Sequence, residues 1–371
     1  MKANNLYPFL DTPSLVVDLD KMESNLAEMA ALTRNAGVNL RPHTKTHKSV
    51  EIARQQIAAG AHGITVAKVG EAEVMAYAGI KDIRIAYPVC GEIKLARLRH
   101  LLAFADISIS LDSVEVARGL SELGQAVGKP LPVLLDINVG MNRCGVLPGE
   151  EALSTARQIS DLPAVTLVGI LTHEGHVQFQ ERTEEGLRKG AVRTAEAMTE
   201  TARLLRANGL DIREVSIGST PAVRYNMAVP GITEVRPGTY VFNDFNCVIE
   251  GVATVETCAL TVLVTVVSIA ADDRAIVDAG SKVFSSDGLA HSEKRGFGFV
   301  LEHPDIAIDH FNEEHGYLVL KNARERLHIG QRLQVIPNHV CPVVNLADVM
   351  YGVRSGALEK RIEVSARGKA Q

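Results

Sequence analysis

From Ser14 to about Asn246 the chain alternates short apolar runs with amphipathic stretches, and that alternation leaves few folds open. SLVVDL (14–19) reads as a strand and KMESNLAEMAALTRNAG (21–37) as a helix closed by Gly37, whose freedom at positive φ suits a helix end. VNLRPHTK and SVEIARQQIAAG repeat the pair. GITVAK with VGEAEVMAYAG, IRIAYP with EIKLARLRHLLAFA, and ISISL with SVEVARGLSELGQAVG follow. PVLLDINVG and TLVGILTHEG are two further apolar strands; a helix from Thr183 to Asn208 leads to EVSIGS, and ITEVRPGTYVFND closes the series. These runs are too apolar for strands with one wet face, so both faces are covered, as in parallel strands joined by helices. A doubly wound sheet would read alike. The count near eight, with polar residues at strand carboxyl ends all the way round, predicts a (β/α)8 TIM barrel over residues 10–249.

After Glu250 the texture changes. TCALTVLVTVVSIA, RAIVDAG, GYLVL and QRLQVIP are β-branched runs split by turns, without helical periodicity. They predict a second, mostly antiparallel β domain over 250–371, joined by residues 1–9. A length of 371 residues, with 46% hydrophobic and 22% charged, supplies two ordinary domains with ample core. The net charge of −5 argues against nucleic acid or a membrane surface as partner, since both are polyanions. No run approaches eighteen apolar residues, and MKANNLYPFLDTPS lacks a basic start followed by an apolar segment. Five scattered cysteines (Cys90, Cys144, Cys247, Cys258, Cys341) suit a reduced, cytoplasmic enzyme.

Four segments carry chemistry. RPHTKTHK (41–48) puts Lys45 at the end of a barrel strand, where an amine is costly unless paired or covalently used. Burial lowers an amine's pKa, as imine formation with an aldehyde requires, and Arg41, His43, His47 and Lys48 would reinforce that. A basic loop is the plainer alternative. VGMNRCGV (139–146) places Arg143 at the next rim position of interest, where a fixed cation can bond an anionic ring oxygen or simply pair with a neighbour. SIGSTPA (216–222) and RPGTY (236–240) offer N–H groups and hydroxyls to a phosphate in the seventh and eighth β-α loops, the positions this barrel favours for that purpose. PNHVCP (337–342) sets His339 and Cys341 at i and i+2, on one face of an extended segment. Imidazole plus thiolate suits Zn²⁺ better than Mg²⁺ or Mn²⁺, although a lone His-x-Cys is usually accidental.

His173 and His176, in LTHEGH, fit a stacking or base role or ordinary loop polarity. Asp278, Lys282 and His315 could line a cleft, but each alone reads better as a turn residue, and Tyr87 as packing. The chain contains no phosphate-binding P-loop, no dinucleotide fingerprint and no nucleophile elbow.

Together these segments resemble the fold type III pyridoxal phosphate enzymes, the alanine racemase-like barrel plus β domain, and within them the D-threonine aldolase / D-serine dehydratase-like family. The matching stretches are DTPSLVVDLDKMESNL, RPHTKTHKS, AKVGEAEVMAYAGIKDI, DINVGMNRCGV, SIGSTPAV, EVRPGTYVFND, AIVDAGSK, EEHG, NHVC and VSARGK, in order along nearly the whole chain. The resemblance implies pyridoxal 5'-phosphate bound to Lys45, with Arg143 on the ring hydroxyl and His173 against the ring. It implies a phosphate held by Gly218, Ser219, Thr220, Gly238 and Tyr240, and a divalent metal (Zn or Mn) held by His339 and Cys341 beside the substrate's 3-hydroxyl. It also implies a homodimer and a small D-amino acid substrate. The implied activity is retro-aldol cleavage of a D-3-hydroxy amino acid to glycine and an aldehyde, with catalysis by Lys45, His173 and His176. The alternative is dehydration of D-serine or D-3-hydroxyaspartate to a 2-oxo acid and ammonia; a racemase or a non-catalytic pyridoxal phosphate carrier is more remote. Two departures bear on that choice. Aldolases of the family typically carry Asp where Cys341 stands, and a histidine where this chain has Phe179, for which His176 would substitute. GMNRCGV and AKVGEAEVMAYAGIKDI lie closer to the aldolases.

Overall fold

A computed structural model describes residues 6–177, 183–289, 296–321 and 323–371; Phe179 lies outside the described residues. The chain divides into two compact units. One comprises Glu28–Lys45, Ile52–Gly238 and Lys369–Gln371; the other comprises Met1–Ala27, Thr46–Glu51 and Thr239–Gly368. The cut therefore differs from 10–249 and 250–371, because the N-terminal residues and the segment after Lys45 join the β unit.

In the first unit, strands β2 (Asn39–Leu40), β3 (Ile64–Val66), β4 (Asp82–Ile85), β5 (Asp106–Leu111), β6 (Leu131–Asp136), β7 (Val165–Thr172), β8 (Glu214–Ile217) and β9 (Glu234–Val235) form one parallel sheet. Its order is β2-β9-β8-β7-β6-β5-β4-β3. The ends meet: His43 bridges Thr65, and the N–H groups of His62 and Thr65 donate to Leu40 O and Pro42 O, each at 2.8 Å. The expected TIM barrel is thus present, and two of its helices begin and end on residues that suit them. Thr183 caps the Glu184–Ala207 helix by accepting from Gly186 N at 3.0 Å, and Asn208 is its C-cap. Ser113 caps Val114–Val127, which stops at Gly128 (φ +69).

The centre of the barrel is less apolar than its strands suggest. Arg84, 1% exposed, pairs with Glu234 and with Glu214 (2.5 Å). Glu234 also accepts from Arg41 Nε (2.7 Å) and Ser216 Oγ (2.5 Å), and Arg41 reaches Asp82. Two cations around one carboxylate hold Glu234 below its ordinary pKa although burial pushes the other way. The guanidiniums and carboxylates satisfy one another, which is the condition for burying them at all.

The second unit is built on a nine-stranded sheet with β1 (Ser14–Asp18), β10 (Leu260–Ala271), β11 (Arg274–Val277), β12 (Phe299–Val300), β13 (Ala307–Phe311), β14 (Gly316–Val319), β15 (Arg332–Ile336), β16 (Val349–Arg354) and β17 (Ala357–Glu363). Its order is β11-β14-β13-β12-β15-β10-β1-β16-β17, and every described pairing except β1–β16 is antiparallel. Ser14–Asp18, expected as the first barrel strand, instead lies between β10 and β16. Its continuous apolar run fits that place equally well, because Leu15, Val16 and Val17 are buried in a central strand there too. Arg332 donates to Leu6 O (3.1 Å) and Tyr7 O (2.6 Å), so the described part of residues 1–9 also joins this unit.

Candidate active site

Parallel strands put all their carboxyl ends on one rim, and the barrel unit gathers its candidates there. Lys45 stands in the 3₁₀ turn Thr44–Thr46 that follows β2. The turn is fixed by Lys45 N donating to His43 Nδ1 (3.3 Å) and Thr44 Oγ1 to Thr65 O (3.1 Å). Burial, then the charges of Lys45, Arg236, His173 and Arg143, push His43 well below its ordinary pKa. Burial, then Lys45, takes His173 down to about 3, with Arg143 and Arg236 adding to the effect. Both imidazoles are therefore neutral at pH 7.

His173 follows β7 directly. Its Nδ1 lies 2.7 Å from Gly218 O, and a Cβ on Gly175 would stand 2.7 Å from its Nε2, so the ring is held from two sides. Gly218 itself follows β8, and a Cβ there would come within 2.8 Å of Arg236 Cβ and 2.9 Å of the Arg236 backbone. Arg236 is buried after β9, donating to Ser216 Oγ (2.6 Å) and Thr172 O (2.5 Å). Burial lowers its pKa to about 10, which leaves it charged at neutral pH.

The expected phosphate donors are brought together, with one surprise. Gly238 N donates to Thr220 Oγ1 (3.3 Å), joining the two turns. Gly218 N (3.1 Å) and Ser219 Oγ (2.8 Å), however, both donate to Glu174, a fully buried carboxylate that the sequence did not single out. Tyr240 is buried in the Thr239–Val241 turn of the β unit, two residues beyond Gly238.

Arg143 is exposed on the 138–146 loop. Asn138 Oδ1 accepts from Gly140 N (3.1 Å) and Asn142 N (3.0 Å), Gly145 N donates to Asp112 (3.0 Å), and Val146 pairs with Ile137. His176 packs beneath this loop: a Cβ on Gly140 would sit 2.7 Å from its Nε2, and a hydrogen bond joins it to the Val139 backbone. Burial, then Arg193, lowers its pKa, and its Nδ1 has no hydrogen-bond partner among the described residues. Asp136, at the end of β6, is pushed up to about 6 by burial although Arg236 and Arg143 pull it down.

The β unit carries the other pair. His339 is the N-cap of the Val340–Leu346 helix, and its Nδ1 lies 2.8 Å from Asp287 Oδ2. Burial opposes a charge on His339, but Cys341, Asp244 and Asp287 outweigh it and carry its pKa up to about 10. Cys341 Sγ is 3.2 Å from the hydroxyl of Thr46, the residue after Lys45. Buried Asp244 accepts from Val340 N (3.1 Å) and Cys247 N (3.0 Å). An imidazole braced by a carboxylate next to a thiol, in surroundings that favour positive charge, is a donor set that fits a divalent cation. Among the described residues no group of three or more His, Cys, Asp or Glu that could hold a metal occurs.

The softer candidates fall to ordinary roles. Asp278 braces Thr12 Oγ1 (2.6 Å) and Thr265 N (2.8 Å), and Lys282 pairs with Glu314 (2.5 Å). His315 closes a turn with Asn312, and exposed Tyr87 lies under Lys68 Nζ at 3.4 Å. Glu174, Arg236, Asp136 and Asp287 are what sequence reasoning missed. Glu174 stood in plain view between two histidines, yet nothing local announces the burial of a glutamate; Asp287 is 52 residues from its partner His339.

A closed β/α barrel with a lysine turn, a Gly-Ser-Thr turn and a rim arginine, in a chain with a mostly antiparallel β unit, defines the alanine racemase-like class. Residues 17–244 match the family model "Alanine racemase, N-terminal domain", and residues 259–353 match the "Putative serine dehydratase domain". A D-threonine aldolase of Arthrobacter sp. is 37% identical over 365 residues, 97% of this chain and 93% of that protein. A D-threo-3-hydroxyaspartate dehydratase of Delftia sp. (strain HT23) is also 37% identical, over 350 residues, 90% of this chain and 91% of that one. The crystal structure of D-threonine aldolase from Filomicrobium marinum superposes with a TM-score of 0.91 at 32% identity, covering 98% of this chain and 97% of that chain. The chain belongs to the D-threonine aldolase / D-serine dehydratase-like family of the alanine racemase fold.

Proposed function

We propose that this protein is a pyridoxal phosphate- and divalent metal-dependent lyase that cleaves the Cα–Cβ bond of a D-configured 3-hydroxy amino acid, releasing glycine and an aldehyde. The observation that carries the reading is the set of strand-end turns on one barrel rim: Lys45 with its N–H on His43 Nδ1 (3.3 Å), His173 on Gly218 O (2.7 Å), and Gly238 N on Thr220 Oγ1 (3.3 Å). Pyridoxal phosphate supplies an electron sink for a bond broken at Cα. Lys45 is the amine that would join its aldehyde, and Arg143 the exposed guanidinium for its anionic ring oxygen. His173, uncharged and held by Gly218 and Gly175, offers a flat face for the ring. Thr220 and Gly238 belong to the turns that would take the phosphate.

His339 and Cys341 would hold a metal that makes a substrate hydroxyl more acidic. Asp287 orients the imidazole for this, as carboxylates behind metal-binding histidines do. Removal of the hydroxyl proton needs a base. His176, unprotonated at neutral pH and with an unclaimed Nδ1 among the described residues, is the candidate.

A dehydratase reading has its own support in Cys341, since the resemblance gives cysteine at that position to the dehydratases. The two relatives at 37% identity catalyse, by their names, one reaction each, so overall identity favours neither. Incubation with D-threonine and D-serine separates them. Glycine plus acetaldehyde from D-threonine is the expected outcome, falling after complete chelation. Keto acid and ammonia alone would remove the aldolase reading, and turnover unaffected by chelation would remove the metal.

A further inference from the structure

We infer that Glu174 is a positioning residue for the cofactor: its carboxylate, rather than the cofactor's phosphate, takes the Gly218 N–H and the Ser219 hydroxyl, and so fixes the turn beneath the phosphate. The inference deepens the proposed function and rests on the pyridoxal phosphate part of it. Glu174 is fully buried and accepts from Gly218 N (3.1 Å), Ser219 Oγ (2.8 Å) and Asn226 Nδ2 (2.8 Å). Three donors satisfy a buried carboxylate, and charge-assisted bonds of this kind are the stronger ones. All three partners come from the segment after β8, whereas Glu174 itself comes from the end of β7.

The geometry around Gly218 makes this more than one buried ion. His173 takes the Gly218 carbonyl at 2.7 Å while its neighbour Glu174 takes the Gly218 N–H. Both backbone polar groups of one residue, one from each of its two peptide units, are thus held by two consecutive residues. On its other side Gly218 meets Arg236 so closely that a Cβ would stand 2.8 Å from it. The turn has no slack, and the orientation of His173 is tied to the placement of the phosphate donors. With Gly218 N and the Ser219 hydroxyl engaged by Glu174, the phosphate monoester falls to the rest of the two turns, which Gly238 N holds together by donating to Thr220 Oγ1 (3.3 Å). A carboxylate is the one side chain of this size that accepts from every donor present; an amide would turn an NH₂ group onto other donors.

The test compares binding of pyridoxal 5'-phosphate with binding of pyridoxal, which lacks the phosphate, to the full chain. The dissociation constants come from equilibrium dialysis, with folding checked by circular dichroism. Glu174→Gln should lower the preference for the phosphorylated ligand about tenfold or more, and Asn226→Ala, which removes one donor to Glu174, about threefold, since a tenfold change corresponds to one lost hydrogen bond. A merely structural carboxylate would weaken both ligands alike and leave the ratio unchanged. An unchanged ratio in folded Glu174→Gln overturns the inference, and should that variant not fold, an unchanged ratio in Asn226→Ala does so. Wild-type protein that takes up neither ligand would instead bring down the pyridoxal phosphate reading itself, and the inference with it.

Discussion

His173 shows how much of a site can be written in one side chain and its neighbours. Burial beside Lys45, Arg143 and Arg236 takes its pKa to about 3, and only the bond to Gly218 O pulls upward. An imidazole in the unfolded chain titrates near 6.5. Between those values the unfolded chain binds a proton that the folded one refuses, so stability present above pH 6.5 is lost as pH falls through that window. By pH 5 the loss from this one residue is on the order of 2 kcal/mol. ¹⁵N shifts of labelled histidine should show His173 neutral, with the proton on Nδ1, down to about pH 4; a midpoint between 6 and 7 would contradict the burial argument. The residues that the sequence made legible, Lys45, Arg143 and the Gly-Ser-Thr turn, have local signatures: a lysine closing an apolar run, a glycine turn, hydroxyls after a strand. Glu174 and Arg236 have none. Their importance comes from burial, and burial is decided by distant segments, as the contacts of Glu174 with Ser219, 45 residues away, and of Arg236 with Thr172, 64 residues away, illustrate.

At the scale of elements, helices were legible to within a residue where caps mark them, as at Thr183, whereas strands were legible only as strands. SLVVDL carries the same signal as the barrel strands, because a central strand in either sheet is covered on both faces; which sheet it joins depends on partners far along the chain. The charged barrel centre was hidden for a related reason. Arg84, Glu214 and Glu234 lie on three strands and Arg41 directly after a fourth, and only the closed barrel makes them neighbours. Removing Glu234 leaves the buried guanidiniums of Arg41 and Arg84 without their shared partner, which costs about 3–5 kcal/mol. Glu234→Leu should therefore lower the urea midpoint strongly. Arg118→Ala, which removes an exposed pair with Glu115 at 3.9 Å, should leave the midpoint where it is. Equal midpoints for Glu234→Leu and the wild type would mean that the network contributes nothing.

At the scale of the whole molecule, the β unit is assembled from three pieces of chain, and one interior strand of its sheet comes from the piece farthest away in sequence. β1 pairs with β10 through Ser14↔Leu263, Leu15↔Val262, Val16↔Thr261 and Val17↔Leu260, and with β16 through Val16↔Tyr351, Val17↔Gly352 and Asp18↔Val353. It is the only strand joining β10 to β16 in the described sheet order, so without it the β16–β17 hairpin has no neighbour. An isolated hairpin is marginal in water. Two smaller ties run the same way: Ala366 N donates to Lys48 O (2.9 Å) and Lys360 pairs with Glu51 (2.7 Å). A fragment of residues 250–371, which composition alone would present as a complete domain, should therefore fail to give a cooperative unfolding transition. Fusing residues 6–27 ahead of that fragment through a flexible linker restores that interior strand and should recover the transition in circular dichroism. Cooperative unfolding of 250–371 alone would show that β10 to β15, which close on themselves through the β10–β11 pairing, suffice without β1. That would also imply that the long path from β1 to β10 serves the barrel's connectivity rather than the stability of the β unit.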